Sequence, residues 1–421
     1  MQRKKYVSII CAGAALLLAG CGSSSTSNNN QNPVTGLKKR ALVSNQVAGT
    51  VTIMDAQKDT RAKVLGVPGP SKMVTAGGFT AILPTGANQI SFIDNTKEEV
   101  LVAGILQGPP VDIAISTDGK IAYAAVRTVG VVEPVVTASG NVINAIPIPS
   151  VTRLVEGPKE HKLLAFADDP QALGGSLKNA FFVIDTATNT AAPVTDPSGT
   201  FLDQPYTAVF DPSDTNDTTA FILNCGPECG GIAASVTKVN FSNPAAPVFT
   251  GVAPISVAGA TVGLLSGSSL FVAGTPAVSP AGCTLSRCGS LQVINTGSLT
   301  AGTAIPITDG LHSKMALTSN NHLYIGAGSC TPGVVVANQV RGCLSIFNTG
   351  GAVSSSNPTF PVESSLRIDL NVTGLLPISG RNVIYVLQGG ELDIFDFTTD
   401  TLTTNQLDFV GNAIDAVQID P

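Results

Sequence analysis

The sequence contains no tryptophan, three histidines and four methionines. Charged side chains make up 12% of its 421 residues and aromatic ones 5%. So little charge leaves the surface polarity to Ser, Thr, Asn and Gln, a composition common in exported β proteins and unusual in cytosolic helical ones. Basic runs longer than three residues are missing too, and the formal charge is −6. Phosphate neutralisation needs grouped Lys and Arg, so nucleic acid is excluded as a partner. There is no CxxCH run for haem attachment, no GxSxG elbow and no Walker loop. Few aromatics argue against a sugar platform. Helical periodicity is absent beyond the first twenty residues.

What is present begins with an address. Residues 1–21 read MQRKKYVSIICAGAALLLAGC. Arg3, Lys4 and Lys5 form a positive n-region, and Val7 to Leu18 an apolar stretch too short to span a bilayer stably. Leu18-Ala19-Gly20-Cys21 resembles the lipobox of bacterial lipoproteins. That resemblance implies a signal peptide over 1–20 and a diacylated Cys21 as the first mature residue. Two acyl chains hold a protein on a membrane where one does so only marginally. Losing Arg3, Lys4 and Lys5 takes the formal charge from −6 to −9. Residues 21–38 then read as a flexible tether, since GSSSTSNNNQNPVTGLK buries too little to offset its ordering entropy. A coil of this length reaches roughly 20–25 Å. Gly22 stands where Asp would signal inner-membrane retention, so the expected location is the outer membrane or cell surface of a bacterial envelope.

From residue 39 to 421 one pattern recurs, clearest in AFFVIDTATNT (Ala180–Thr190): a short apolar strand and then a polar turn. Weaker copies include TVTIMDA from Thr50, QISFIDNT from Gln89, SLQVINTG from Ser290, CLSIFNTG from Cys343 and LDIFDFTTD from Leu392. These segments are β-branched and aromatic and are bounded by Gly, Pro, Asn and Asp, of which Gly (43) and Pro (27) are plentiful. Units of about 40–60 residues with four strands predict an all-β fold, a β-propeller of eight four-stranded blades, with seven as the alternative count. The domain opens on what reads as a second strand, ALVSN from Ala41, and ends on an unpaired first strand, AIDAVQID from Ala413. The ring is therefore expected to close by pairing the C-terminal strand with the N-terminal strands.

The line VDIAISTDGKIAYAAV (Val111–Val126), taken with FFVIDTATN, resembles the YVTN-type β-propeller repeat. Asp118-Gly119 fits its hairpin turn and Tyr123 the tyrosine that names it. The likeness is strongest in units two to four. It implies a scaffold rather than a chemistry, and no catalytic residue is carried over. The absence of Trp separates the chain from tryptophan-docked propellers.

Six cysteines remain in the domain: Cys225, Cys229, Cys283, Cys288, Cys330 and Cys343. They form three local pairs, one in each of units five, six and seven, between the second and third strands. In an exported protein an even count favours disulfides, and local pairing is the simplest of the 15 possibilities. Cys225-Gly-Pro-Glu-Cys229 also admits a metal reading, but four-ligand zinc sites want closer CxxC-like pairs or histidine partners, and His161, His312 and His322 are not beside a pair. No metal or cofactor is expected. Asp211-Pro-Ser-Asp214-Thr-Asn-Asp217 lacks the spacing and Gly of a calcium loop and aligns with the Ser116–Gly119 turn. Asp168-Asp169 reads as a solvated loop pair.

The second-to-third-strand loops of units four to seven are long, which builds up one face of the ring. Function on a rigid scaffold usually sits in such loops. Lys72, Asp112, Arg153, Tyr206 and His312 are expected at the mouth of the channel, where a small polar ligand finds mixed charge. The reading is a lipid-anchored, monomeric binding or scaffold module of the cell envelope. Its expected partners are the membrane, through the anchor, and an envelope protein or surface polymer. The alternative is a lactonase-like or other hydrolytic enzyme using the channel mouth.

Overall fold

The repeat is set by one local device. At the end of the strand Phe181–Asp185, the Asp185 carboxylate accepts the backbone N–H groups of Ala187 and Thr188, both at 3.1 Å. Asn189 then takes a left-handed conformation (φ 53°), and the chain returns as Thr190–Val194. Asp and Asn make such turns because a short side chain can mimic a backbone acceptor, and Asn tolerates positive φ. The same turn follows Asp55, Asp94, Asn295 and Asp396, with Asp59, Glu98, Leu299 and Asp400 at positive φ. In the first-to-second-strand turn on the same face, Gly77 is required by space. A Cβ there would lie 1.9 Å from the Asp118 carbonyl oxygen of the neighbouring unit.

A computed structural model of the chain describes residues 33–159, 162–168, 179–283, 286–331, 343–349, 371–407, 409 and 411–420. The signal peptide, Cys21 and most of the tether lie outside the described residues, as do His161, Asp169 and much of the loops of units four and seven. The described chain forms eight antiparallel sheets. The innermost strands are Pro70–Ala76, Asp112–Ile115, Val151–Glu156, Pro205–Phe210, Val262–Ser266, His312–Leu317, Val372–Pro377 and Ala413–Gln418. Each touches the next, and the last touches the first, so the ring is closed. The fold is an eight-bladed β-propeller. The seventh blade shows three strands among the described residues.

Closure follows the expected clasp. Ala413–Gln418 runs antiparallel to Arg40–Asn45, pairing Ala41 with Gln418 and Ser44 with Asp415. Thr50–Asp55 and Thr60–Gly66 complete the first blade. Arg40 grips the Asp420 carboxylate through Nε at 2.7 Å and Nη2 at 2.9 Å, which locks the two ends together. Its Nη1 also meets the buried Glu98 carboxylate, which accepts the Thr35 N–H at 2.8 Å. Thr35–Lys38, expected in the tether, thus belong to the same unit as the propeller.

There is no single core. Eight apolar clusters fill eight seams, each shared by two adjacent blades. Tyr123, Ala125 and Val132 of the third blade pack on Leu154, Leu163 and Ile184 of the fourth. Phe166 and Phe181 of the fourth pack on Phe210, Ile222 and Phe241 of the fifth. Both faces of each sheet are therefore apolar, as the continuous burial along LLAFA (Leu163–Ala167) records. One blade alone would leave both faces wet, which is why only the closed array is stable.

Candidate functional site

All inner strands run the same way, so the second-to-third-strand loops and the blade-to-blade connections share one face. Three disulfides are on that face. Cys225–Cys229 closes around a short 3-10 turn, Gly226–Cys229, with Cα atoms 5.7 Å apart. Cys283–Cys288 and Cys330–Cys343 span 5.9 and 5.5 Å between Cα atoms. The pairing is local in every case, as the sequence spacing leads one to expect.

The stapled loops are tied to one another. Glu228, inside the first staple, accepts the N–H of Thr275 in the next blade at 2.8 Å. Thr275 Oγ1 donates to the Gly310 carbonyl at 2.7 Å. Asp309 accepts the N–H and hydroxyl of Thr331 at 2.7 and 2.6 Å. Asp203 holds the N–H groups of Ile232 and Ala233. Blades five, six and seven therefore present one braced surface rather than three separate loops. Burial raises the Glu228 carboxyl above its ordinary range, and the Thr275 bond opposes that rise.

The mouth of the ring lies on the same face. In six blades an extra residue bulges the start of the inner strand. Bulges re-aim the side chains beside them. The residues just past the bulge include Arg153, Thr207, Lys314, Gly374 and Asp415. Lys72 lies within the bulge of its own strand, and Asp112 opens the unbulged third blade. Lys72 Nζ meets Asp112 Oδ1 at 2.5 Å and the Ile113 carbonyl at 3.0 Å. Lys314 Nζ meets Asp415 Oδ1 at 3.3 Å, reaching past the eighth blade, where Gly374 carries no side chain.

Both aspartates also bind backbone. Asp112 Oδ2 accepts the Leu154 N–H at 2.8 Å, and Asp415 Oδ2 accepts the Met73 N–H at 2.6 Å. In each case the donor is on the inner strand of the following blade. An inner strand has one unpaired edge, and a carboxylate from its neighbour satisfies a donor there. Arg153 differs from the two lysines. Its guanidinium stacks on the Tyr206 ring, 3.7 Å from the centroid, and hydrogen-bonds the Tyr206 hydroxyl.

Four of the five mouth residues expected from sequence are thus brought together as two pairs. His312 is the exception. It is fully buried, with its ring against Gly289, where an added Cβ would fall 2.5 Å from Cε1. Neither ring nitrogen makes a hydrogen bond of good geometry among the described residues. Burial pushes its pKa down to about 4, with the Thr308 carbonyl and the Asp309 charge opposing the fall. His312 starts its strand before the bulge and packs into the seam instead of the channel.

Lys314 and Asp415 are mouth residues the sequence reading missed. The signal was there: Ser313-Lys314-Met315 repeats Ser71-Lys72-Met73. The Asp211–Asp217 run is on the opposite face and is a polar turn, its carboxylates occupied by Ser213, Asn216, Thr218 and Lys238. Asp168 pairs with Arg127 at 2.9 Å.

No protein-family model and no curated protein matches the sequence. Solved structures do match in fold. The dihydro-heme d1 dehydrogenase NirN in complex with DHE aligns at TM-score 0.65 and 11% identity, over 92% of this chain and 77% of that one. Apo AztD from Citrobacter koseri aligns at TM-score 0.55 and 12% identity, over 90% and 98%. Kuenenia stuttgartiensis hydrazine synthase aligns at 0.53 and 15%, over 81% and 96%. At these identities the likeness is one of architecture: the chain shares the β-propeller fold with proteins of different activities.

Proposed function

We propose that this chain is a lipid-anchored propeller of the bacterial cell envelope. It presents the loop-rich face of blades four to seven to a protein or surface polymer. Cys21 supplies the anchor, and the polar run before Thr35 supplies the reach. The observation that carries the reading is where exposed apolar side chains sit. Ile232, Val278 and Leu311 are exposed on loops and connections of blades five to seven, and Val47, Val111 and Val129 on the same face at blades one to three. Val64, Val100, Val102, Ile105, Val248 and Val252 are exposed along the outer strands. Among the described residues, the connections of the opposite face expose one large apolar side chain, Val142. The turns of that face carry the Asp and Asn residues that shape the hairpins. Exposed apolar groups gathered on a rigid face mark interaction surfaces.

The hydrolase reading has less behind it. Asp112 and Asp415, the inner-strand acids at the mouth, are each held by a lysine and by a backbone N–H of the next blade. That is the bonding of inter-blade ties.

The test is photo-crosslinking in intact envelopes. A photoreactive amino acid at position 232 or 278 should yield discrete higher-mass adducts, and one at Ser319 on the opposite face should yield none. Adducts of equal yield from both faces would refute the loop-face reading. Incorporation of labelled palmitate that disappears in Cys21→Ser checks the anchor separately.

A further inference from the structure

We propose that the channel mouth binds the carboxylate group of a small organic monoanion, through the guanidinium of Arg153 and the hydroxyl of Tyr206. This goes beyond the loop-face reading and does not depend on it. Three cations and two carboxylates meet on the inner strands at the mouth. Lys72 is matched by Asp112, and Lys314 by Asp415. Arg153 has no carboxylate partner among the described residues. Among the described residues its side chain makes one hydrogen bond, to the Tyr206 hydroxyl, which engages one of its five N–H donors.

Arg153 is half-buried, and its guanidinium carbon sits over the Tyr206 ring, 3.7 Å from the centroid. An arginine so fixed is a prepared fork, and the complement of that fork is a carboxylate bound through two parallel N–H···O bonds. Charge selects within the oxyanions. The inner-strand groups at the mouth sum to one positive charge, which one carboxylate cancels and a phosphate dianion exceeds. Glu228 adds a negative charge felt at Tyr206, but it is itself opposed by Arg287. Asp112 stands on the adjoining strand with its oxygens already engaged, so a dianion would meet repulsion there.

The experiment is calorimetric titration of the full chain, in detergent, with sodium acetate, lactate and benzoate, and with inorganic phosphate for comparison. At least one monocarboxylate should bind saturably at one site. Arg153→Gln should weaken that binding tenfold or more. Arg153→Lys keeps the charge without the fork and should weaken it several-fold, as should Tyr206→Phe. Unfolding midpoints of the variants should stay near that of the parent; a variant that fails this is replaced in the comparison by Tyr206→Phe. The proposal is overturned by the absence of saturable carboxylate binding in the parent chain. It is equally overturned by unchanged affinity in Arg153→Gln, or by phosphate binding more tightly than every carboxylate.

Discussion

Tyr385 donates its hydroxyl to Asp59 Oδ1 at 2.5 Å across the seam between the eighth and first blades. Arg381 holds the same carboxylate, with Nη2 2.8 Å from Oδ2. The arrangement recurs. Tyr324 reaches Asp400 at 2.8 Å and Tyr123 reaches Asn189 at 3.2 Å. In every case the acceptor is the left-handed residue of the next blade's turn. Where that residue is Leu299, the facing side chain in the seam is Phe221. The tyrosine of the repeat is thus one half of an inter-blade hydrogen bond, and the turn residue is the other half.

That pairing predicts unequal costs. Tyr385→Phe removes one hydrogen bond to a charged group and leaves Asp59 held by Arg381, so it should cost about 2 kcal/mol. Asp59→Ala strands both the buried phenol and the guanidinium and should cost about 3 kcal/mol or more. Urea midpoints at constant m-value measure both. Equal effects would mean that the seam does not use the bond.

The clasp makes a sharper prediction. Truncation before Ala413 removes the inner strand of the first blade and its pairing with Arg40–Asn45. It also removes the Arg40–Asp420 ion pair and the Asp415 bond to Met73. Two seams then lose their innermost apolar layer. The shortened chain should unfold without a cooperative transition and should elute as aggregates on size exclusion. A circular permutant that joins residue 420 to residue 35 and opens at Gly86 should keep the cooperative transition, because every strand pair survives. Cooperative unfolding of the truncated chain would show that the ring holds without its clasp.

The scaffold was legible because its period is short and its turns are chemical. Asp185, Asn189 and Thr190 announce a hairpin from six residues of sequence, and the odd first strand at Ala413 announces the closure. The disulfides were legible because the chain distance within each pair is small. The mouth was less so. Placing a side chain there depends on a one-residue bulge, and a shift of one residue turns a strand position to its other face. Lys72, Asp112, Arg153 and Tyr206 fell on the right side of that shift, His312 on the wrong one. Asp415 is read correctly only once the last strand is set beside the first.

The staples should be separable from the fold. Replacing Cys283 and Cys288 by Ser opens a loop of six residues and should cost about 2 kcal/mol by chain entropy; opening the Cys330–Cys343 loop should cost about 3 kcal/mol. Neither change touches a strand pair. The far-ultraviolet circular dichroism should therefore be unchanged, while limited proteolysis should cut first between Thr275 and Cys288. Loss of the sheet signal on reduction would make the disulfides part of the propeller itself.

His312 gives the molecule a pH dependence whose sign follows from burial. Its pKa falls from 6.5 to about 4 in the folded chain. Between those values the unfolded chain binds a proton that the folded chain does not, so stability rises with pH. The contribution is complete above about pH 6.5 and is lost as the pH falls towards 4. A shift of that size amounts to roughly 3 kcal/mol. Asp309, the acid nearby whose charge opposes the shift, limits the loss. His312→Leu removes the titrating group from the seam beside Gly289 and should flatten the curve between pH 6.5 and 4, whatever it does to stability at pH 7. Urea midpoints of parent and variant across that range give the difference directly, and the other histidines cancel in the subtraction. Parallel curves would mean that the imidazole takes up its proton without leaving the folded state.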